Sequence, residues 1–200
     1  RTGNTRISAT ANYAAGSVML AEGHYAEAQR LFKTARANAA SSGDVRMQLN
    51  ALNGEGEVAR LSGETDEAEA VFSRYGKLAH QKGFALLEAV SHINRALIAL
   101  SRGDYANAEA LAAQAGQVLA HRPRSWPWLY IAMIRCAVSA TKGEQAKSLQ
   151  WWELAVDRGL EQVRSPDLAT AVEVLVKAAQ IQGWSEVEES AKRILEGVRG

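Results

Sequence analysis

The sequence predicts an all-α chain of about five helical hairpins, ten helices in all, stacked as a superhelical solenoid. Three observations predict it. Gly23, Gly63, Gly103, Gly143 and Gly183 recur at one constant interval, and that interval, about 40 residues, is within the range of helical repeats. Five such units account for the whole chain. Most of these glycines separate two apolar-periodic runs, the usual mark of one helix ending and the next beginning. Alanine supplies 37 of the 200 residues and proline only 3, which favours helix and lets helices approach closely.

The units read 1–43, 44–83, 84–123, 124–163 and 164–200, as a single array with a degenerate capping unit at the end. In the first, Gly23-His24-Tyr25-Ala26-Glu27-Ala28 marks the turn between two helices. Ala28 and Phe32 are one helical turn apart and stack on one face, the small residue admitting a neighbour and the ring filling the space. Ser41-Ser42-Gly43-Asp44 closes the unit, with Asp44 predicted to cap the next helix. The second unit has runs over 45–62 and 65–82 about Gly63-Glu64-Thr65-Asp66-Glu67-Ala68, stacks Ala68 with Phe72, and ends at Lys82-Gly83.

The third turn, Gly103-Asp104-Tyr105-Ala106-Asn107-Ala108, is followed by Ala112 where the ring belongs. In the fourth unit Cys136, Ser148 and Ala155 take the small positions and Trp152 takes the ring position, so Trp152 is predicted to be buried. The fifth has Glu188 and Lys192 in place of the small residue and the ring, and its second helix is expected to pack through Val187, Ala191, Ile194 and Leu195. Pro123, Pro127 and Pro166 fall only at the last two boundaries, where no helical hydrogen bond has to continue. Helices of about 15 to 18 residues, roughly 25 Å long, follow.

Composition excludes several functions. Lys and Arg total 23 against 22 Asp and Glu, which leaves no footprint for displacing counterions from nucleic acid. Over five equal blocks the net charge runs +3, −3, 0, +3, −2, a mosaic suited to partner choice. No run reaches the ~20 apolar residues of a membrane helix. Cys136 is the sole cysteine and has no internal disulfide partner, so a reducing, cytoplasmic setting is expected. A start without Met or a signal-like segment suggests a piece of a longer protein.

Catalysis finds little support. His24, His80, His92 and His121 have no metal-binding spacing, the repeated glycines do not cluster as phosphate loops, and Glu188-Glu189 is an exposed pair without a partner. Cys136 sits at a small packing position inside a helix. No enzyme activity, metal or cofactor is expected.

With a small residue inside the first helix, Gly at the turn, an aromatic two residues on, Ala three further, then an aromatic and another Ala, the units resemble tetratricopeptide repeats. Gly16, Gly23, Tyr25, Ala28, Phe32 and Ala35 carry the pattern in unit one; Gly56, Gly63, Ala68 and Phe72 carry it in unit two, where Thr65 and Tyr75 depart; Ala96, Gly103, Tyr105, Ala108 and Ala115 carry it in unit three. HEAT and armadillo repeats have a similar period, but the Gly-x-Tyr-x-x-Ala-x-x-x-Phe signature decides against them. The chain looks like the longer-helix variety found in kinesin light chains and MalT-like bacterial regulators, most strongly over residues 7–120.

The resemblance implies a right-handed superhelical solenoid whose first helices line a concave groove holding an extended or helical peptide. Carried over by position, it places Asn53, Glu57 and Arg60 on the inner face of unit two and Asn94 on that of unit three. An amide there could read a peptide main chain, offering donor and acceptor together; alternatively these are solvated residues of a groove wall. Glu55, Arg95 and Arg135 form a second column at the repeat spacing, where the family has leucine. Glu55 is expected to pair with Arg95, and Arg135 either joins an inter-repeat salt bridge or binds a ligand carboxylate or phosphate.

All five tryptophans lie after residue 125. Trp126, Trp128 and Trp151, with Arg122 and Arg124 near the first two, read either as an exposed binding patch or as a local plug. The function implied is a non-enzymatic cytoplasmic scaffold that binds a peptide or a partner helix from another protein. The alternative is a ligand- or peptide-sensing regulatory module of a larger bacterial-type transcription regulator or kinase; self-association through an exposed terminal unit is a third.

Overall fold

The computed structural model describes residues 2–162 and 166–199. Among them are ten α-helices, one 3-10 turn and no strand, an all-α architecture of consecutively packed helices. The expected unit boundary at 163/164 lies outside the described residues. The chain divides into two compact units, residues 1–91 and 92–200, with the division inside α5 (Ala85–Ser101).

The first unit contains α1 (Thr2–Ala21), α2 (Tyr25–Ser42), α3 (Val45–Leu61), α4 (Thr65–Gln81) and the start of α5. Each of α1 to α3 packs on the next, and α1 also meets α3, so the first helices of successive hairpins form a layer. The turns share one geometry. Gly43 has φ 70°, and beyond it the Asp44 N–H donates to the Ala39 carbonyl at 2.9 Å while the Asp44 carboxylate accepts the Met47 N–H at 3.0 Å. The left-handed glycine stops one helix and the next residue starts another.

The turns inside hairpins use the same bond, as His24 to Met19 at 2.8 Å and Glu64 to Ala59 at 2.8 Å show. Reversals therefore recur twice in each repeat, at Gly23 and Gly43, then at Gly63 and Gly83.

Rings fill the space between helices in this unit. Phe32 is buried, and a Cβ built on Gly16 of α1 would lie 3.0 Å from its ring, one built on Gly54 of α3 only 2.7 Å. Phe72 fills the same role beside Gly56, where the distance would be 2.5 Å. Tyr75, which departs from the repeat pattern, is fully buried, and desolvation together with the Tyr13 and Glu57 charges pushes its phenol well above the usual range.

The second unit holds the rest of α5, then α6 (Tyr105–Val118), α7 (Pro127–Thr141), α8 (Gln145–Asp157), α9 (Pro166–Gln182) and α10 (Ser185–Arg199). α6 and α8, of 14 and 13 residues, are shorter than expected. Pro123 replaces the turn glycine after α6, and the chain runs through a longer connection to Pro127, which opens α7 at the first helical position. α6, α8 and α9 all pack on α7, and 11 of its 15 residues are buried, as an all-round apolar helix requires.

Trp152 is half-buried, contrary to expectation. The space that Gly16 and Gly56 leave for a ring is taken here by Cys136, whose Sγ lies 3.4 Å from the Ser148 hydroxyl. In α10, Ala191 is buried and Val187, Ile194 and Leu195 are half-buried, the face the sequence selected. No helix among the described residues is long and apolar enough to cross a membrane.

Candidate peptide-binding cavity

A concavity lies within the second unit. The C-terminal end of α5 (Leu100, Ser101, Arg102), Tyr105 at the start of α6, Thr141 at the end of α7 and one face of α9 enclose about 520 Å³. From α9 come Thr170, Glu173, Val174, Lys177, Ala178 and Ile181, whose spacings of three and four keep them on one face. Ile181 is 83% exposed although apolar, and Lys177 beside it is exposed and makes no ion pair among the described residues. The chemistry is mixed: aliphatic surface from Leu100, Val174 and Ile181, hydroxyls from Thr141, Thr170 and Tyr105, and charges of both signs. The lining thus sets aliphatic surface beside polar and charged groups.

The residues selected from the sequence are placed differently. Glu57 and Arg60 of α3 are both largely buried and bonded to each other, with Arg60 Nε 3.0 Å and its Nη2 2.6 Å from Glu57 Oε2. Asn53 is half-buried on the same helix. Asn94, expected on a groove wall, is buried, and like Asn53 it already engages other groups. Asn94 is thus enclosed by the fold and is not a solvated residue of a wall.

Two members of the charged column have partners on neighbouring helices. The buried Glu55 carboxylate accepts from Arg36 of α2 at 2.5 Å and lies 3.9 Å from Arg74 of α4, so these partners come from the helices on either side. Arg135 of α7 is held in a parallel way. Its guanidinium donates to Glu109 of α6 at 2.8 and 3.0 Å and stacks 4.3 Å above the Trp151 ring of α8. Arg135 thus joins an ion pair between helices, the first of the two readings the sequence offers.

The tryptophans do separate work. Trp128 packs over Gly116 and donates its indole N–H to the Arg122 carbonyl at 3.2 Å, the local-plug reading. Trp126 meets Tyr130 edge-on at 5.6 Å and is 56% exposed, whereas Trp151 lies beneath Arg135. Cys136 is fully buried, and desolvation pushes its thiol from 9.0 up to about 12, against a smaller opposing effect of Ser148. Glu188 is bonded to Lys192 at 2.5 Å and Gln180 at 2.9 Å, so it has the partners the sequence did not reveal. Among the described residues no group of three His, Cys, Asp or Glu could hold a metal ion.

The cavity escaped sequence reasoning. Its walls come from residues 100–105 and 170–182, with Thr141 between, and the signal available was Ile181, an aliphatic residue beside Lys177 on one α9 face. No family model matches the chain, and no curated protein matches it.

Proposed function

We propose that the chain is a non-enzymatic, tetratricopeptide-like interaction module that holds a peptide or a partner helix in the α5–α9 cavity of its second unit. The observation that carries this is the cavity itself, about 520 Å³, with an exposed aliphatic side chain, Ile181, on the same wall as Lys177, a cation with no ion pair among the described residues. The ring and glycine positions shared at the repeat spacing, Phe32 with Gly16 and Phe72 with Gly56, support the family reading. The partner is another protein; the mixed charge of the wall favours a peptide over nucleic acid. Catalysis has no candidate nucleophile in Cys136, which is buried and protonated.

Selection of short random peptides against the protein tests this. Selected peptides are expected to bind saturably, and Ile181→Asp and Lys177→Glu each to weaken them at least tenfold. Unchanged affinity in both variants would remove the cavity from the account. A second reading, a sensor for a small molecule controlling domains outside this chain, is favoured by the cavity volume, which falls within the range of small-ligand sites. Competition between selected peptide and a small-molecule library separates the two.

A further inference from the structure

Three first helices bring one repeat position to the α5–α9 cavity. Ser101, Thr141 and Ile181 stand one repeat apart at the C-terminal ends of α5, α7 and α9, and all three line it. The position is open in α3 as well, where Leu61 is 38% exposed. The exposure of Ile181 thus follows its place in the repeat.

The hydroxyls of this column have already used their protons. Ser101 Oγ donates to the Ile98 carbonyl and Thr141 Oγ1 to the Val138 carbonyl, each at 2.8 Å. A hydroxyl has one proton and two lone pairs, so toward the cavity both can only accept, and a ligand has to bring the donors. The charges of the lining are uneven too. Arg102 and Glu173 engage other groups, whereas Lys177 is exposed and makes no hydrogen bond or ion pair among the described residues. Its ammonium offers three donors and no acceptor, so its complement is an anion.

We infer that the cavity selects an acidic side chain close to an aliphatic one in an extended peptide, Lys177 pairing the carboxylate while Ile181 and Val174 cover the aliphatic group. This rests on the cavity being the peptide site. Lys177 and Ile181 are one helical turn apart on α9, which sets their Cβ atoms about 6 Å apart. Two residues of an extended chain cover about 6.6 Å and put both side chains on one side. The motif is therefore Asp or Glu, any residue, then Leu, Ile or Val, in either order. A helix suits the site less, because its N–H groups are spent on its own carbonyls and none remains for Ser101 and Thr141. A fatty acid would satisfy Lys177 and Ile181 but brings no donor to the two hydroxyl oxygens.

The probe is a library of random heptapeptides, acetylated and amidated to remove terminal charges, selected separately on the wild-type protein and on Lys177→Glu. Wild type should enrich the acid two positions from the aliphatic residue. Lys177→Glu should replace the acid with Lys or Arg at the same spacing and keep the aliphatic residue. Changing Glu to Gln in a selected peptide should weaken binding to wild type roughly threefold or more, the scale of a partly exposed ion pair, and should change little on Lys177→Ala. Both substituted positions are exposed, and circular dichroism checks that the variants stay folded. Peptides that are lost on Ile181→Asp, yet carry no acid at this spacing or keep it on Lys177→Glu, would overturn the inference and leave the cavity as the peptide site. No binder at all, or binders indifferent to Ile181→Asp, would overturn both.

Discussion

The Phe32 ring lies so close to Gly54 that a Cβ on that glycine would stand 2.7 Å from it. One ring thus fixes the spacing of α2 against α3 as well as against its own partner α1, where Gly16 leaves 3.0 Å. The first hairpin is locked to the second by an aromatic in a gap that only glycine opens.

Gly54→Ala therefore forces the ring aside. We expect a loss of about 1–3 kcal/mol, read as a lower midpoint in chemical denaturation. Gly16→Ala, at a longer distance, should cost less.

Arg36 and Arg74 hold a carboxylate that is only 3% exposed, the first at 2.5 Å and the second at 3.9 Å. Arg36→Ala should destabilise by about 1–3 kcal/mol, since it leaves Glu55 buried with its weaker partner, and Arg74→Ala by less. Glu55→Leu should be close to neutral, because both arginines are exposed enough to rehydrate when the buried charge is gone. Denaturation of the three variants orders them.

Asp44 caps α3 and pairs with Arg6 at 3.1 Å; the Met47 N–H and Arg6 lower its pKa from 3.8. A carboxylate lowered on folding stabilises above its unfolded value, and that contribution disappears as pH falls through the folded one. Asp44→Ala should cost about 1 kcal/mol at neutral pH, with a smaller penalty once the solution is more acidic than the ordinary carboxylate range. Thermal melts from neutral pH down to strong acid give both.

Cys136 titrates at about 12 in the folded chain against 9.0 ordinarily. The folded state thus holds a proton the unfolded chain releases, and its stability contribution, complete below the ordinary thiol value, declines as pH rises toward the folded one. The slope is about 1.4 kcal/mol per pH unit for one proton. Tyr75 acts in the same direction from about pH 10, so the comparison is between wild type and Cys136→Ala just below that pH. The variant should lose stability less steeply there.

The turns and the ring positions of the first two hairpins were legible because they need particular residues: glycine at positive φ, and small residues opposite Phe32 and Phe72. The ion pairs were not. Column reasoning compared positions one repeat apart, yet Glu55 meets Arg36 and Arg74, which stand half a repeat away on the flanking second helices. Trp152 was misread because the fourth hairpin carries Cys136 where a ring needs glycine. The α5–α9 cavity joins two segments distant in the chain, Leu100–Tyr105 and Thr170–Gln182, and no periodicity announces such a meeting.

The claim that this cavity receives a peptide is tested most directly by methyl resonances during titration with a selected peptide. Those of Ile181, Val174 and Leu100 should move to saturation along one binding curve, while those of Ile7 and Val18 stay in place. If the cavity methyls remain still while the peptide binds, or the α1 methyls move in their stead, the assignment of the cavity is contradicted.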